Sequence, residues 1–175
     1  KLMESGALRP KPGDRSIEEI LDEIKADSTA EYFDSSYLVR LYFEEPGFEE
    51  VRALKDPEPW ACALHGKAET SAAFHRKFRD GHIDSSKLHE TMEQFAADCL
   101  AGEFSWLPLT VPTVDSLTSL YRNLPPDCFL RAADALHLAC ARDHGFKTVY
   151  SNDKHLLAAA KHFGLRTRNV IGGRK

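Results

Sequence analysis

Residues 60–64, Trp-Ala-Cys-Ala-Leu, form an apolar run without polar alternation. A strand with one wet face alternates, so a run of this kind suits a sheet covered on both sides. Further strand-like runs are AEYFD, ending at Asp34, then FSWLPLT at 104–110, KTVYSN at 147–152 and LRTRNV at 165–170, the last as an edge strand. Helical segments lie between them. Ser35 or Ser36 caps SSYLVRLYFEE, which Pro46-Gly47 ends, and FEEVRALK follows as a second short helix. Residues 65–81 stop at Gly81, and residues 85–102 carry Leu88, Met92, Phe95, Ala96 and Cys99 as an inner stripe. Pro112 opens a helix to about Arg122, PPDC leads into a long one over 129–145, and DKHLLAAAKHFG closes the series. Short strands separated by helices predict an α/β sandwich around a central, mostly parallel sheet of four or five strands.

A chain of 175 residues is long enough for one such domain and hardly for two. Residues 1–29 stand apart from the α/β pattern. Lys1-Leu2 ahead of Met3 reads as a cloning remnant, and ALRPKPGD has turn or extended character. Ser16 with Glu19 makes a capping box, and Ile17, Ile20, Leu21 and Ile24 follow at helical spacing. There is no apolar segment suited to a secretion signal or a membrane span. Cys62, Cys99, Cys128 and Cys140 share no CxxC spacing, which points to a reducing compartment and a cytoplasmic location.

Acidic residues outnumber Lys and Arg by 27 to 23, so no general basic excess advertises nucleic acid. The acids matter more by position. In open α/β sheets ligands bind beyond the carboxyl ends of the strands, and Asp34 closes the first strand while Asp153 follows the fourth. Asp134 interrupts the small, apolar helix RAADALHLACA, where a carboxylate needs a partner such as Arg131 or Arg142, solvent, or a metal. Glu69 interrupts KAETSAAF in the same way. Carboxylates from separated segments are the donors a hard divalent cation takes.

Four motifs in order carry a family resemblance: YFDSSYLVRLY, AETSAAF, RAADALHLACA and VYSNDKHLLAAAKHFGL. Residues 30–172 resemble a PIN domain, most closely the ribonuclease toxins of VapBC toxin–antitoxin systems. The resemblance implies a three-layer α/β/α sandwich and a metal-dependent endoribonuclease using Mg²⁺ or Mn²⁺. It assigns Asp34, Glu69, Asp134 and Asp153 as catalytic residues and metal ligands, with Ser35, Ser36, Ser151 and Asn152 supporting them. Arg40, Arg76, Lys77 and Lys154 are candidates for holding the RNA backbone, and His137 is read as a core or supporting histidine. A homodimer, a cognate antitoxin and an RNA substrate follow from the same resemblance. The alternatives are an inactive PIN-like module that binds RNA or protein, and a metal-dependent nuclease acting on DNA. The first 29 residues exceed the family pattern and suggest an autoinhibitory or dimer-spanning arm carrying Arg9, Lys11 and Arg15.

Overall fold

A computed structural model describes residues 31–54 and 59–171, so the arm and helix expected over 1–29 lie outside the described residues. Five strands form one sheet: β1 (Tyr32–Phe33), β2 (Trp60–Ala63), β3 (Phe104–Leu107), β4 (Thr148–Tyr150) and β5 (Arg166–Arg168). Their order is β3-β2-β1-β4-β5 and every pairing is parallel. The chain builds outward from β1 through β2 to β3, then returns to the other side of β1 with β4. The strand order therefore reverses between β1 and β4, the kind of place where ligands sit beyond the carboxyl ends.

The helices are α1 (Ser35–Val39), α2 (Phe48–Arg52), α3 (Leu64–Arg79), α4 (Ser85–Ala101), α5 (Val111–Asn123), α6 (Ala132–Asp143) and α7 (Lys154–Ala159), the last running into a 3₁₀ turn, Ala160–Phe163. Among the described residues none is long and apolar enough to cross a membrane. Strand side chains alternate between two cores. Tyr32, Ala63 and Val149 join Leu117, Leu138 and Leu156 on one face, with α5, α6 and α7. Phe33, Cys62 and Tyr150 join Tyr37, Phe74 and Phe95 on the other, with α1, α3 and α4. The Phe33 ring stacks on Trp60 with centroids 4.1 Å apart and on Tyr150 at 4.9 Å, tying three neighbouring strands together. Both faces are covered, so the unalternating WACA run produces the three-layer α/β/α sandwich.

Several element boundaries differ from the sequence reading. The helix expected to run to Pro46 ends at Val39, because the Arg40 side chain takes the Ser36 carbonyl at 2.7 Å and the Pro46 carbonyl at 3.2 Å, folding the following residues back as turns. The helix expected from residue 129 begins at Ala132, since the chain turns after Pro125 and Arg131 is in an extended conformation. On α4 Ala96 is exposed, and Thr91 is the buried neighbour of Phe95.

Candidate functional site

Asp34 lies immediately beyond β1 and caps α1. Its Oδ1 accepts the Ser36 N–H at 3.0 Å and the Ser36 hydroxyl at 2.5 Å, while the Ser151 hydroxyl, just past β4, donates to Oδ2. The residue is 5% exposed. Burial pushes its carboxyl above the ordinary value, although the nearby His137 and the serine hydrogen bonds pull the other way. Ser151 also accepts the Asp153 N–H at 2.9 Å, so one hydroxyl ties the two strand-end acids together.

Asp153 caps α7, accepting the N–H of His155 at 2.7 Å and of Leu156 at 3.1 Å on Oδ1. Burial alone would raise this carboxyl. The Leu156 and His155 amides and the charge of Arg131 more than offset it and hold it below the usual carboxylate value. Asp134 stands in the first turn of α6. Arg131, the residue capping that helix, donates Nε–H to Asp134 Oδ2 at 3.0 Å and an Nη2–H to Asp153 Oδ2 at 2.5 Å. Arg142 turns instead to Asp143 and the Ser116 hydroxyl.

Glu69 reaches the group from α3. Its Oε2 meets His137 Nε2 at 2.7 Å, and the Ser35 hydroxyl also bonds it. The direction of these bonds follows from their far end. The Ala63 N–H donates to the Tyr32 phenol oxygen at 3.0 Å, and that oxygen lies 2.6 Å from His137 Nδ1. The phenol, whose pKa burial drives well above its usual value, therefore gives its proton to Nδ1. Nε2–H is then free to donate to Glu69, which defines the tautomer of His137. Burial would raise Glu69, but the hydrogen bond from His137, with His65 and Ser35, brings it below its ordinary value.

His65 adds a third member. Its Nε2–H donates to the Ala133 carbonyl at 3.2 Å, which leaves Nδ1 as a buried lone pair with no hydrogen-bond partner. The ligand atoms of His65, Glu69 and His137 lie within 4.8 Å of one another, a spacing that could hold a divalent ion. As the bonds stand, His65 and Glu69 have the free lone pairs, and both His137 nitrogens are engaged. Asp34, Asp134 and Asp153 are joined through Ser151 and Arg131, without such a close approach among themselves.

Desolvation, reinforced by His137, lowers His65 to about 4 from 6.5. Between those values the unfolded chain takes up a proton that the folded chain refuses, so stability falls as pH drops from about 6.5 towards 4. Replacing His65 by Gln is expected to flatten that part of the profile. Urea midpoints at pH 7 and pH 5 check it: the wild type should lose more than the variant.

Gly66, in the first turn of α3, makes room for this cluster. A Cβ there would lie 2.4 Å from Cys62 Sγ and 3.2 Å from His137 Cε1. Alanine gains about 1 kcal/mol in helix propensity, but overpacking a buried position costs about 1–3 kcal/mol. Cys62 is fully buried on β2 and has nowhere to swing. Gly66→Ala is expected to destabilise by up to about 2 kcal/mol, and adding Cys62→Ala should recover part of the loss in denaturant titrations.

Beside the acids a cleft of about 550 Å³ runs from Ser35, Ser36 and Glu69 to Arg40, Arg76 and Lys77. Arg40 is committed to backbone carbonyls, and Lys77 pairs with Glu45 while lying 4.9 Å over the Phe43 ring. Arg76 and Lys154 are exposed. Asn152 donates its N–H to Ser36 Oγ at 3.3 Å and accepts from Asn169 at 3.2 Å, steadying the loop without touching an acid. The sequence reading had no part for His65 or Gly66, and none in the site for Tyr32. The adjacent letters His65-Gly66 ahead of Glu69 are the one local signal, a glycine where a helix starts against the strand it has just left.

The PIN domain family model matches residues 32–162, about three quarters of the chain. Among solved structures, the crystal structure of Mycobacterium tuberculosis VapC20, a sarcin-ricin loop cleaving toxin, is similar in fold. The TM-score is 0.57 at 18% identity, covering 74% of this chain and 95% of that one. No curated protein matches in sequence.

Proposed function

Because the chain belongs to the PIN domain family, we propose that it is a metal-dependent endoribonuclease, the toxin of a VapBC-type toxin–antitoxin pair acting in the cytoplasm. The observation that carries this reading is the buried Asp34 at the reversal point of the sheet, locked by Ser36 and by the same Ser151 that fixes Asp153. A buried carboxylate held in a position that disfavours its charge is a common mark of a functional acid.

The donor set fits a hard cation. Asp34, Asp134 and Asp153 offer carboxylate oxygens, with Glu69 alongside, and the nearest thiol, Cys62, is kept neutral by burial. These four carboxylates would hold Mg²⁺ or Mn²⁺. When bound, the ion supplies a lowered pKa for water and neutralises charge on the phosphate. The chain's own residues do the rest. Ser36 and Ser151 orient Asp34, and the α7 amides orient Asp153. Arg131 balances the Asp134–Asp153 pair and lies where it can meet a phosphate. His137, its tautomer set by Tyr32, keeps Glu69 ionised and aimed towards Ser35 at the head of the cleft. Arg76 and Lys154 hold the strand on either side. A cognate antitoxin and a second copy of the chain are the expected protein partners.

The test is cleavage of single-stranded RNA with Mn²⁺, an EDTA control and end-group analysis. Products with 5′-phosphate and 3′-hydroxyl, together with growth arrest on expression relieved by a neighbouring gene product, are expected. Cutting of DNA in preference to RNA, or no cutting of either, would reject the ribonuclease reading.

A further inference from the structure

The loop between α5 and α6 turns one aromatic side chain outward. Cys128 and Leu130 pack against the core beneath it, whereas Phe129 between them is 58% exposed. The loop is held firmly in that arrangement. The Cys128 N–H bonds the Pro125 carbonyl at 3.0 Å, and the Tyr121 hydroxyl donates to the Leu130 carbonyl at 3.3 Å. Pro125 and Pro126 restrict the entry to the loop. The exposed ring packs against His155, with centroids 4.6 Å apart and planes at 58°.

One exposed phenylalanine is ordinary and needs no function; the surroundings of this one give it more weight. The His155 N–H donates to the Asp153 carboxylate, and Arg131, two residues beyond Phe129, bridges Asp134 and Asp153. Lys154 is exposed beside His155. An apolar ring and an imidazole thus adjoin the candidate acids, with two cations next to them. Single-stranded nucleic acid is bound through this combination, its bases stacked on aromatic faces and its phosphates held by Arg and Lys. A paired base is already stacked on its neighbours and cannot offer a face to such a ring, so the platform selects a base free of its helix.

We propose that Phe129 and His155 form a stacking platform for an unpaired base of the RNA strand, next to the phosphate that is cut. The inference rests on the ribonuclease reading and adds what that reading lacks, a reason for choosing loops or single strands. The two can fail separately.

The experiment uses the full chain carrying Asp34→Asn, so that RNA is bound without being cut. Single-stranded RNA containing 2-aminopurine, and a duplex of the same sequence, are titrated against this protein with Phe129 intact or changed to Ala or Trp. Phe129 is exposed, so neither change threatens the fold. Phe129→Ala is expected to weaken single-strand binding roughly 5- to 100-fold and to abolish quenching of the 2-aminopurine. Phe129→Trp should retain both, and duplex binding should be unchanged in all three. Equal single-strand affinity with Phe and Ala, an equal loss for the duplex, or a changed oligomeric mass with RNA affinity preserved would each overturn the platform. If the wild-type chain cuts no RNA with Mn²⁺, the ribonuclease reading falls and the platform with it. If it cuts normally and Phe129→Ala binds as well as the parent, only the platform falls.

Discussion

Asp34→Asn is expected to abolish Mn²⁺-dependent RNA cleavage while raising the melting temperature. The activity should fall at least about 100-fold, beyond the roughly 10- to 100-fold typical of residues that only support a ligand. The stability gain follows from the environment of the carboxyl. Asp34 is 5% exposed, and burial raises its pKa over the opposing pull of His137, Ser151 and Ser36. The native state therefore binds this proton more tightly than the unfolded chain does. The contribution of Asp34 to stability declines as pH rises from the ordinary value of 3.8 through the raised one. Asparagine carries no charge to desolvate. Its carbonyl can still accept from Ser36, and its amide can donate to the Ser151 oxygen. A gain of roughly 1 kcal/mol would lift the melting point by about 2–4 °C in a domain of this size. Calorimetry at pH 7 in EDTA and again in Mn²⁺ separates the two effects: the ion should stabilise the wild type and leave the variant unmoved. A variant that melts lower, or that responds to Mn²⁺ as the parent does, would remove Asp34 from the centre. The trade expected here is common at sites built for chemistry, where residues are held at some cost to stability.

The local sequence was informative wherever one element decides the outcome. WACA, YF and TVY are short and apolar, and their alternate side chains enter two cores, so the covered parallel sheet could be read from pattern alone. Strand ends likewise mark Asp34 and Asp153, because a polar residue ends an apolar run where the chain leaves the sheet. The parts that escaped are those decided between elements. Arg131 was one of two possible partners for Asp134; its second bond, to Asp153, depends on α6 and the β4–α7 turn arriving side by side. Tyr32 and His137 are 105 residues apart, and Glu69 and His137 are 68 apart, so neither bond leaves a mark on local periodicity. Helix starts were misjudged for a related reason. Nothing in the letters Phe129-Leu130-Arg131 forbids a helix, and the non-helical backbone there is held by the Tyr121 hydroxyl on Leu130.

His137→Leu is expected to be the most destabilising of the changes considered, and the way its cost combines with others reveals the wiring. Leucine fills a similar volume but returns neither hydrogen bond. The Tyr32 side chain is 0% exposed, so its phenol proton would be left without an acceptor. Glu69 would stay partly buried and lose the hydrogen bond that holds its carboxyl down, which drives its pKa upward. The orphaned Tyr32 phenol costs about 1–3 kcal/mol, and the partly exposed Glu69 adds a smaller loss, for about 2–4 kcal/mol together. The melting point should drop by roughly 5–15 °C. Tyr32→Phe alone forfeits the bond to His137 and the acceptor for the Ala63 N–H. In the double variant the phenol that His137→Leu strands is already gone, so the combined loss should fall short of the sum by about 1–2 kcal/mol. Denaturant titration of the four proteins measures that coupling directly. Strict additivity would mean that the two bonds of the Tyr32–His137–Glu69 chain act separately, in which case Tyr32 would have no bearing on the carboxylate at the cleft. Coupling of the expected size, accompanied in Tyr32→Phe by weaker Mn²⁺ affinity without loss of fold, would establish that a phenol in the core sets the orientation of an acid in the site.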